Sequence, residues 1–332
     1  MSVEYKAIGW NPQKIAYDSV LATLCVAYIG AFAGLGGVLF PTATAETLII
    51  RALGTLALLM LHIILAIGPL CRLDRRFLPL LYNRRHLGVA MFIVALGHAG
   101  FSIFQFHALG DVNPFVSLLG ANSRFASIRD FPFELPGVAA LMILFLMAAT
   151  SHDFWLHVLT PPMWKGLHMG VYLAYVLLIA HVTLGALQSE TSPALVAFLA
   201  IGMAILSILH LLAANRENKR DSETSVAGED GFSAVAEFEK IPDGRAQVVC
   251  IGQERIAVFR NGDKVSALSN VCRHQNGPLG EGKIIDGCVT CPWHGYQYDP
   301  DTGMSPPPFN DQVEVFPTRL VDGVVWVKAG SK

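Results

Sequence analysis

The sequence predicts an α + β membrane protein, with a bundle of about six transmembrane helices followed by a small all-β domain. Three observations carry that expectation. Hydrophobic residues make up 53% of the 332-residue chain and charged residues only 15%, against about 25% in soluble proteins, and the deficit lies almost wholly before residue 215. Beyond residue 231 the long apolar runs give way to short β-type ones. In that second region two Cys/His hooks are separated by sixteen residues. The mean hydropathy of +0.46 fits such a mixture. A net charge of −2 argues against nucleic acid as a partner.

Residues 1–18 form a polar, mixed arm without the pattern of a cleavable signal peptide. A spanning helix needs about 20 mainly apolar residues. Stretches near 19–40, 47–70, 86–108, 135–151, 167–188 and 193–214 satisfy that rule, the fourth being short and interrupted by glycine. Pro41, Pro69, Pro114, Pro136, Pro161-Pro162 and Pro193 punctuate them. The basic residues set the orientation. Arg72, Arg75, Arg76, Arg84 and Arg85 crowd the second connection, with Lys6 and Lys14 before the first helix, Lys165 in the fourth connection, and Arg216, Lys219 and Arg220 at the exit. The other side holds only Arg51, Arg124 and Arg129. Both termini and the β domain are therefore expected in the cytoplasm, in a multi-pass protein of a bacterial inner membrane. The third connection, about 110–134, is long, and it is the expected cover of an acceptor or quinone site.

Residues 215–231 are polar and rich in Gly, Ser and Glu, and read as a linker. From 232 to 332, β-type runs at 248–251, 256–259 and 265–268 are bounded by Gly252 and Asn261-Gly262, a hairpin signal, and 324–327 closes the domain. Cys250 and Cys288 fall in strands, Cys25 and Cys71 in or at the ends of helices. None of this is a disulfide framework, which implies a reducing compartment.

The remaining cysteines belong to Cys272-Arg273-His274 and Cys291-Pro292-Trp293-His294. Two thiolates and two imidazoles suit tetrahedral zinc, and they equally suit a [2Fe–2S] cluster with both Cys on one iron and both His on the other. Zinc fingers pair Cys with Cys and His with His, a spacing absent here. Cys272-x-His274…Cys291-Pro292-x-His294-Gly295, flanked by Gly277-Pro278-Leu279-Gly280, Tyr296-x-Tyr298-Asp299 and Gly303, resembles the Rieske family over about the last hundred residues. The resemblance implies one [2Fe–2S] cluster held by Cys272, His274, Cys291 and His294. The respiratory type of that family adds a disulfide and a serine near the cluster. Those positions here are Gly277, Trp293 and Tyr296, so the chain is closer to a Rieske-type ferredoxin, toward the low end of the range from about −150 to +300 mV.

His62, His86, His98, His107, His168, His181 and His210 lie in or near the apolar stretches, with His152 and His157 in a connection. An imidazole inside a membrane is costly and marks function by default. His86 and His98 share the third helix, His168 and His181 the fifth, with rises of about 18 and 20 Å between the members of each pair. Helices running the same way would set two His at each of two levels, although the wheel turns the members of each pair well over about 90° apart. Arg84-Arg85-His86-Leu87-Gly88…Leu96-Gly97-His98 and Trp164-x-x-Leu167-His168-x-x-Val171-Tyr172-Leu173…His181 are similar to the ferric-reductase-like transmembrane family. That family includes the haem-binding membrane subunit of the methionine sulfoxide reductase system and, more distantly, NADPH oxidases. The resemblance spans roughly 45–215 and implies one or two b-type haems ligated by His86, His98, His168 and His181. His62 is the alternative to His86, and Arg84 and Arg85 stand where haem propionates accept charge-assisted hydrogen bonds. His107 and His210 are expected to pack or to line an interface.

Together these readings predict membrane electron transfer. Electrons from a cytoplasmic donor, a flavin reductase or a ferredoxin, would pass through the cluster to the haems and on to a quinone or an outer-face acceptor, with lipid around the helices. Two alternatives remain: a haem-free helical anchor for a ferredoxin that serves a partner oxidoreductase, and a module that oxidises quinol with inward flow. No pattern identifies a catalytic acid, base or nucleophile, and no flavin or nicotinamide motif follows the helices.

Overall fold

The computed structural model describes residues 12–120, 122–152, 155, 158–159, 161–189, 193–222, 226–227, 229–252, 254–274, 276–293, 295–307 and 309–329. The arm before residue 12, His157, the expected cluster ligand His294 and Pro308 lie outside the described residues.

Among the described residues seven helices come first: α1 (Pro12–Leu39), α2 (Ala45–Leu73), α3 (Arg84–His107), α4 (Pro114–Gly120), α5 (Glu134–Ala149), α6 (Pro161–Leu184) and α7 (Pro193–Ser222). A 3₁₀ segment, Arg75–Asn83, joins α2 to α3, and a single turn, Ala186–Ser189, follows α6. Helix α2 is the axis. Two-thirds of its apolar stretch (67%) is buried, against 11% or less in the other long helices, and it packs against α1, α3 and α7. Its Leu56, Met60, Leu61, Ile64 and Leu65 form the core with Met91 of α3, Leu144 of α5, Val171 and Ala174 of α6, and Leu206 of α7. The outward side chains are also apolar. Val26, Val38, Ile93, Phe104, Val176 and Leu211 are all more than half exposed, a face that lipid and not water would cover.

Among the described residues, five helices are long and apolar enough to cross a membrane, including α1, α2, α6 and α7 and the unit of Arg75–Asn83 with α3. The fourth expected span, 135–151, is the shorter α5 of 16 residues. At 1.5 Å per residue it reaches about 24 Å, short of the roughly 30 Å hydrocarbon core. At its end Thr150 and Ser151 turn their hydroxyls back onto the carbonyls of Leu146 and Met147 at 2.7 Å each, as Ser19, Thr23 and Ser102 do within the longer helices. The structure thus shows several apolar helices but leaves the six-span count unmet by length. Helix α7 has 30 residues, about 45 Å, and its polar last turns run into the expected linker as far as Ser222.

The rest is β structure in three sheets. The first joins β1 (Val226–Ala227), β2 (Ser233–Glu237), β11 (Val324–Val327) and β10 (Thr318–Val321). The second joins β3 (Ala246–Ile251), β4 (Glu254–Asn261), β5 (Lys264–Ser269) and β9 (Val315–Phe316). The third joins β6 (Lys283–Ile285), β7 (Cys288–Thr290) and β8 (Gln297–Tyr298). All pairings are antiparallel. Asn261 faces Lys264 across the expected hairpin, and Gly262 supplies the positive φ of 59° at its turn. Asp286-Gly287 and Asp322-Gly323, each with both φ positive, close the β6–β7 and β10–β11 hairpins in the same way.

Candidate redox sites

The two Cys/His loops are anchored on the second and third sheets. The first loop, after β5, carries Cys272 and His274; the second, from β7 to β8, carries Cys291. The two loops are the same turn made twice. Cys272 N–H donates to Gly277 O (2.9 Å) and Asn276 N–H donates to Cys272 O (2.8 Å). Cys291 N–H donates to Tyr296 O (2.8 Å) and Gly295 N–H donates to Cys291 O (2.9 Å). In each turn the fourth residue after the cysteine takes a left-handed conformation, Asn276 at φ 58° and Gly295 at φ 70°, which is why Asn and Gly stand there. The histidines occupy adjacent places in this repeated frame, His274 two residues after its cysteine and His294 three after.

Both thiols are buried to 1% exposure and neither is in a disulfide. The loops face each other closely: a Cβ on Gly277 would lie 2.8 Å from Cys291 Sγ and 3.2 Å from the Trp293 ring. Two buried, unbridged thiols and an imidazole on paired loops form a donor set that fits a Rieske cluster. The ring of His274 stacks on Tyr296 at 4.7 Å with the planes 10° apart. Tyr296 donates its hydroxyl to Asp311 and packs on Phe309, just after the proline run. Tyr298 is fully buried, accepts from Arg273 N–H at 3.1 Å and lies 3.3 Å from Cys272 Sγ. A thiolate at Cys272, the form a cluster ligand takes, can only accept, so toward it the phenol would be the donor. Burial and the neighbouring Cys272 push the Tyr298 phenol up, so it stays protonated and remains a donor.

In the helices the structure brings His98 of α3 and His181 of α6 together, with ring centres 6.2 Å apart and planes at 80°. That separation suits two imidazoles that would hold one iron, each bonded at about 2 Å. Each Nδ1 is held by a backbone carbonyl, His98 by Ile50 O at 2.9 Å and His181 by Phe133 O at 2.8 Å. A carbonyl accepts, so Nδ1 carries the proton and Nε2 is left as the ligating atom. Glycines make the room. A Cβ on Gly54 of α2 would lie 3.0 Å from the His98 ring, and one on Gly137 of α5 only 2.7 Å from the His181 ring.

The other histidines find different partners. His86 faces Asp18 of α1, with Nδ1 2.9 Å from each carboxylate oxygen. His168 Nδ1 donates to Trp164 O at 3.0 Å, its Nε2 lies 3.4 Å from Ser151 Oγ, and its ring stacks on Trp164 at 3.7 Å. His86 and His168 are thus not in ring contact among the described residues. His62 is satisfied by Leu58 O and Tyr175 OH (2.8 and 3.1 Å), as a packing residue is. His107 contacts Ser117, and His210 contacts Leu206 O and Tyr172. Arg84 and Arg85 occupy the first turn of α3, Arg84 against Gly68 of α2. The 110–134 connection folds on itself through Asn122, Ser127 and Asp130, and reaches the His98/His181 pair through Phe133.

The β domain rests on the basic ends of the helices. Arg255 of β4 pairs with Glu217 (3.0 Å) and Asp221 of α7, Arg72 with Glu281 (3.8 Å), and Lys283 lies 6.0 Å over the Tyr82 ring. Burial pushes the Glu281 carboxyl up to about 7, against the opposing pull of Arg72. Sequence reasoning did not find Asp18, Tyr298 as a sulfur donor, Glu281, or the two helical glycines. A carboxylate at the edge of a span and glycines inside apolar helices were the available signals.

Residues 231–317 match the family described as the Rieske [2Fe-2S] domain. Over 111 residues the chain is 40% identical to the anthranilate 1,2-dioxygenase ferredoxin subunit of Burkholderia cepacia, covering 33% of this chain and 99% of that protein. The chain belongs to the Rieske [2Fe-2S] family. Ahead of the Rieske domain, residues 52–179 match the ferric reductase like transmembrane component. The Rieske part is also 31% identical over 109 residues to the oxygenase component of chloroacetanilide N-alkylformylase from Rhizorhabdus wittichii, spanning 31% of this chain and only 31% of that relative. Among solved structures, the complex of reduced oxygenase and oxidized ferredoxin in carbazole 1,9a-dioxygenase is similar at 27% identity and a TM-score of 0.29, covering 31% of this chain and 98% of that one. A Rieske domain joined to a ferric-reductase-like helical domain makes this a membrane electron-transfer protein.

Proposed function

We propose that the protein carries electrons from a cytoplasmic donor, through a Rieske cluster and b-type haem, to a quinone or an acceptor at the outer face. The observation that carries this reading is the His98–His181 pair, two imidazoles at bis-His spacing with both Nδ1 atoms tied to carbonyls. Cys272, His274, Cys291 and His294 would hold the cluster, and His98 and His181 one haem. Bound there, each group takes up and releases one electron at a time.

The chain's own residues do the positioning. Ile50 and Phe133 hold the tautomer of the two histidines, and Gly54 and Gly137 keep the space around them open. Tyr298 donates to the Cys272 sulfur and so favours the reduced cluster. The apolar helices keep water out. His181 lies about 20 Å along α6 from His168, which sits at the Rieske end. So wide a gap needs a relay, and this supports a second haem ligated by His168 and His86, with Arg84 and Arg85 beside its propionates. Asp18 holds His86 at Nδ1, which leaves Nε2 as the ligating atom, as in the His98–His181 pair.

The Rieske domain sits at the end of the bundle that gathers Arg72, Arg75, Arg76, Arg84, Arg85, Arg216, Lys219 and Arg220, which supports a cytoplasmic Rieske domain and six crossings with α5 included. A flavin reductase or a ferredoxin is the donor class of choice, since the chain carries no recognisable flavin or nicotinamide motif. The printed name of the Burkholderia ferredoxin subunit favours a second reading, a membrane-anchored ferredoxin serving a partner oxygenase. The reduced-minus-oxidised optical spectrum of the purified full chain separates them. A b-type α-band that disappears in His98→Ala supports the first, and its absence from the folded parent protein supports the second.

A further inference from the structure

Two tryptophans meet across the boundary between the domains. Trp293 lies in the second cluster loop, between Cys291 and His294, and Trp164 lies one helical turn before His168 in α6. Their ring centres are 6.1 Å apart with the planes at 47°. Trp164 in turn stacks on His168 at 3.7 Å and 25°. An unbroken aromatic contact therefore runs from the loop holding two cluster ligands to a histidine inside the bundle.

Both ends are fixed. The missing side chain at Gly277 lets the Trp293 ring lie within the cluster loops, beside Cys291 Sγ. The Trp164 indole N–H donates to Thr150 O at 3.3 Å, and its carbonyl accepts from His168 Nδ1. The Arg255–Glu217 and Arg72–Glu281 ion pairs hold the Rieske domain against this end of the helices. The tilted Trp293–Trp164 contact and the Trp164–His168 stack together join a cluster loop to a histidine of the bundle.

We propose that Trp293 and Trp164 form the electron port between the two domains: positioning residues that set the gap between the cluster and a haem held at His168. The inference rests on the haem reading above. In the step, one electron leaves the reduced cluster, whose ferrous iron returns to ferric, and one arrives at ferric haem. No bond forms or breaks, no proton crosses, and neither indole changes oxidation state. Electronic coupling decays most steeply across empty gaps, and the two indoles fill such a gap with packed atoms.

The test uses the purified full-length holoprotein. The cluster is reduced photochemically and haem reduction is followed optically, while EPR records the cluster signal and titration records both potentials. Trp293→Ala and Trp164→Leu are each expected to slow transfer by about tenfold or more, with g-values and potentials unmoved, and Trp293→Phe recovers most of the rate. Trp164→Leu lies outside the Rieske domain, so it stays informative where Trp293→Ala fails to assemble a cluster. It should also speed amide exchange over residues 291–297, a readout that needs no electron flow. Parental rates and parental exchange in Trp164→Leu overturn the port while leaving the haem reading intact. A parental protein without a b-type band overturns both, and that shows before any variant is made.

Discussion

The cluster loops and the histidine pair in the bundle are the two proposed metal-ligand sets, and they are built in opposite ways. Each cluster loop is a local turn closed by its own backbone, Cys272 to Asn276 and Gly277, Cys291 to Gly295 and Tyr296. The ligands follow from their spacing in one short stretch. His98 and His181 come from separate helices, and their orientation depends on carbonyls of two further segments, Ile50 and Phe133. The room they occupy depends on Gly54, one turn along α2 from Ile50, and on Gly137 of α5, just after Phe133. A site written into a turn survives changes elsewhere in the fold, whereas a site written into packing depends on every helix around it.

The largest effects should come from the ligands, and they should be separable. Cys272→Ser or Cys291→Ser is expected to reduce the Rieske EPR signal to background while leaving any haem band in place. His98→Ala or His181→Ala should do the converse, removing the haem assigned to that pair and leaving the Rieske signal. Loss of both centres from either substitution would mean that the two sites fold as one unit, and the contrast drawn here would fail.

Next in size is a substitution that no ligand rule anticipates. Gly137→Ala places a methyl 2.7 Å from the His181 ring, tighter than the 3.0 Å contact that Gly54→Ala would make with His98. Haem content should fall several-fold in Gly137→Ala and less in Gly54→Ala, measured as haem per protein by pyridine haemochrome. Equal and full occupancy in both would show that packing is not what shapes the site.

Smaller effects should tune the cluster without emptying it. Tyr298→Phe removes one hydrogen bond to the Cys272 sulfur. A bond of about 1 kcal/mol acting on a one-electron couple lowers the potential by on the order of 50 mV, read by EPR-monitored titration. An unchanged potential would place the Tyr298 hydrogen elsewhere. The smallest effect concerns the docked interface. Glu281, facing Arg72, Arg84, Glu217 and Arg220, has its carboxyl raised from 4.5 to about 7 by burial. The docked form binds the proton more tightly than the free form, so its docking contribution is greatest below about pH 4.5. It falls as pH rises toward about 7 and is level above that. Amide exchange over 279–283 should quicken from pH 5 to pH 8 beyond the intrinsic rate, and Glu281→Gln should abolish that excess.

The same contrast explains what could be read from the sequence. The β domain was legible, and its proposed ligands could be picked out, because Cys-x-His and Cys-x-x-His, with Asn261-Gly262 nearby, are local signals. The helices were legible as apolar runs, but α5 ends at Ala149, and α7 continues to Ser222 through residues that look like a linker. The wheel angles between His86 and His98 and between His168 and His181 pointed to a conflict. In the structure one member of each pair meets the other across the bundle, and the remaining two turn to Asp18 and to Trp164 and Ser151. No spacing rule could show this, because Asp18 and Ser151 belong to other segments.

The central claim is that one chain holds a Rieske cluster and a bis-His haem within electron reach. A potentiometric titration of the purified full-length protein, followed at once by low-temperature EPR and optical spectroscopy, tests it most directly. The account predicts a Rieske-type g-set together with at least one b-type haem step that is lost in His98→Ala. A Rieske signal with no haem band at any potential would contradict it and reduce the helices to an anchor.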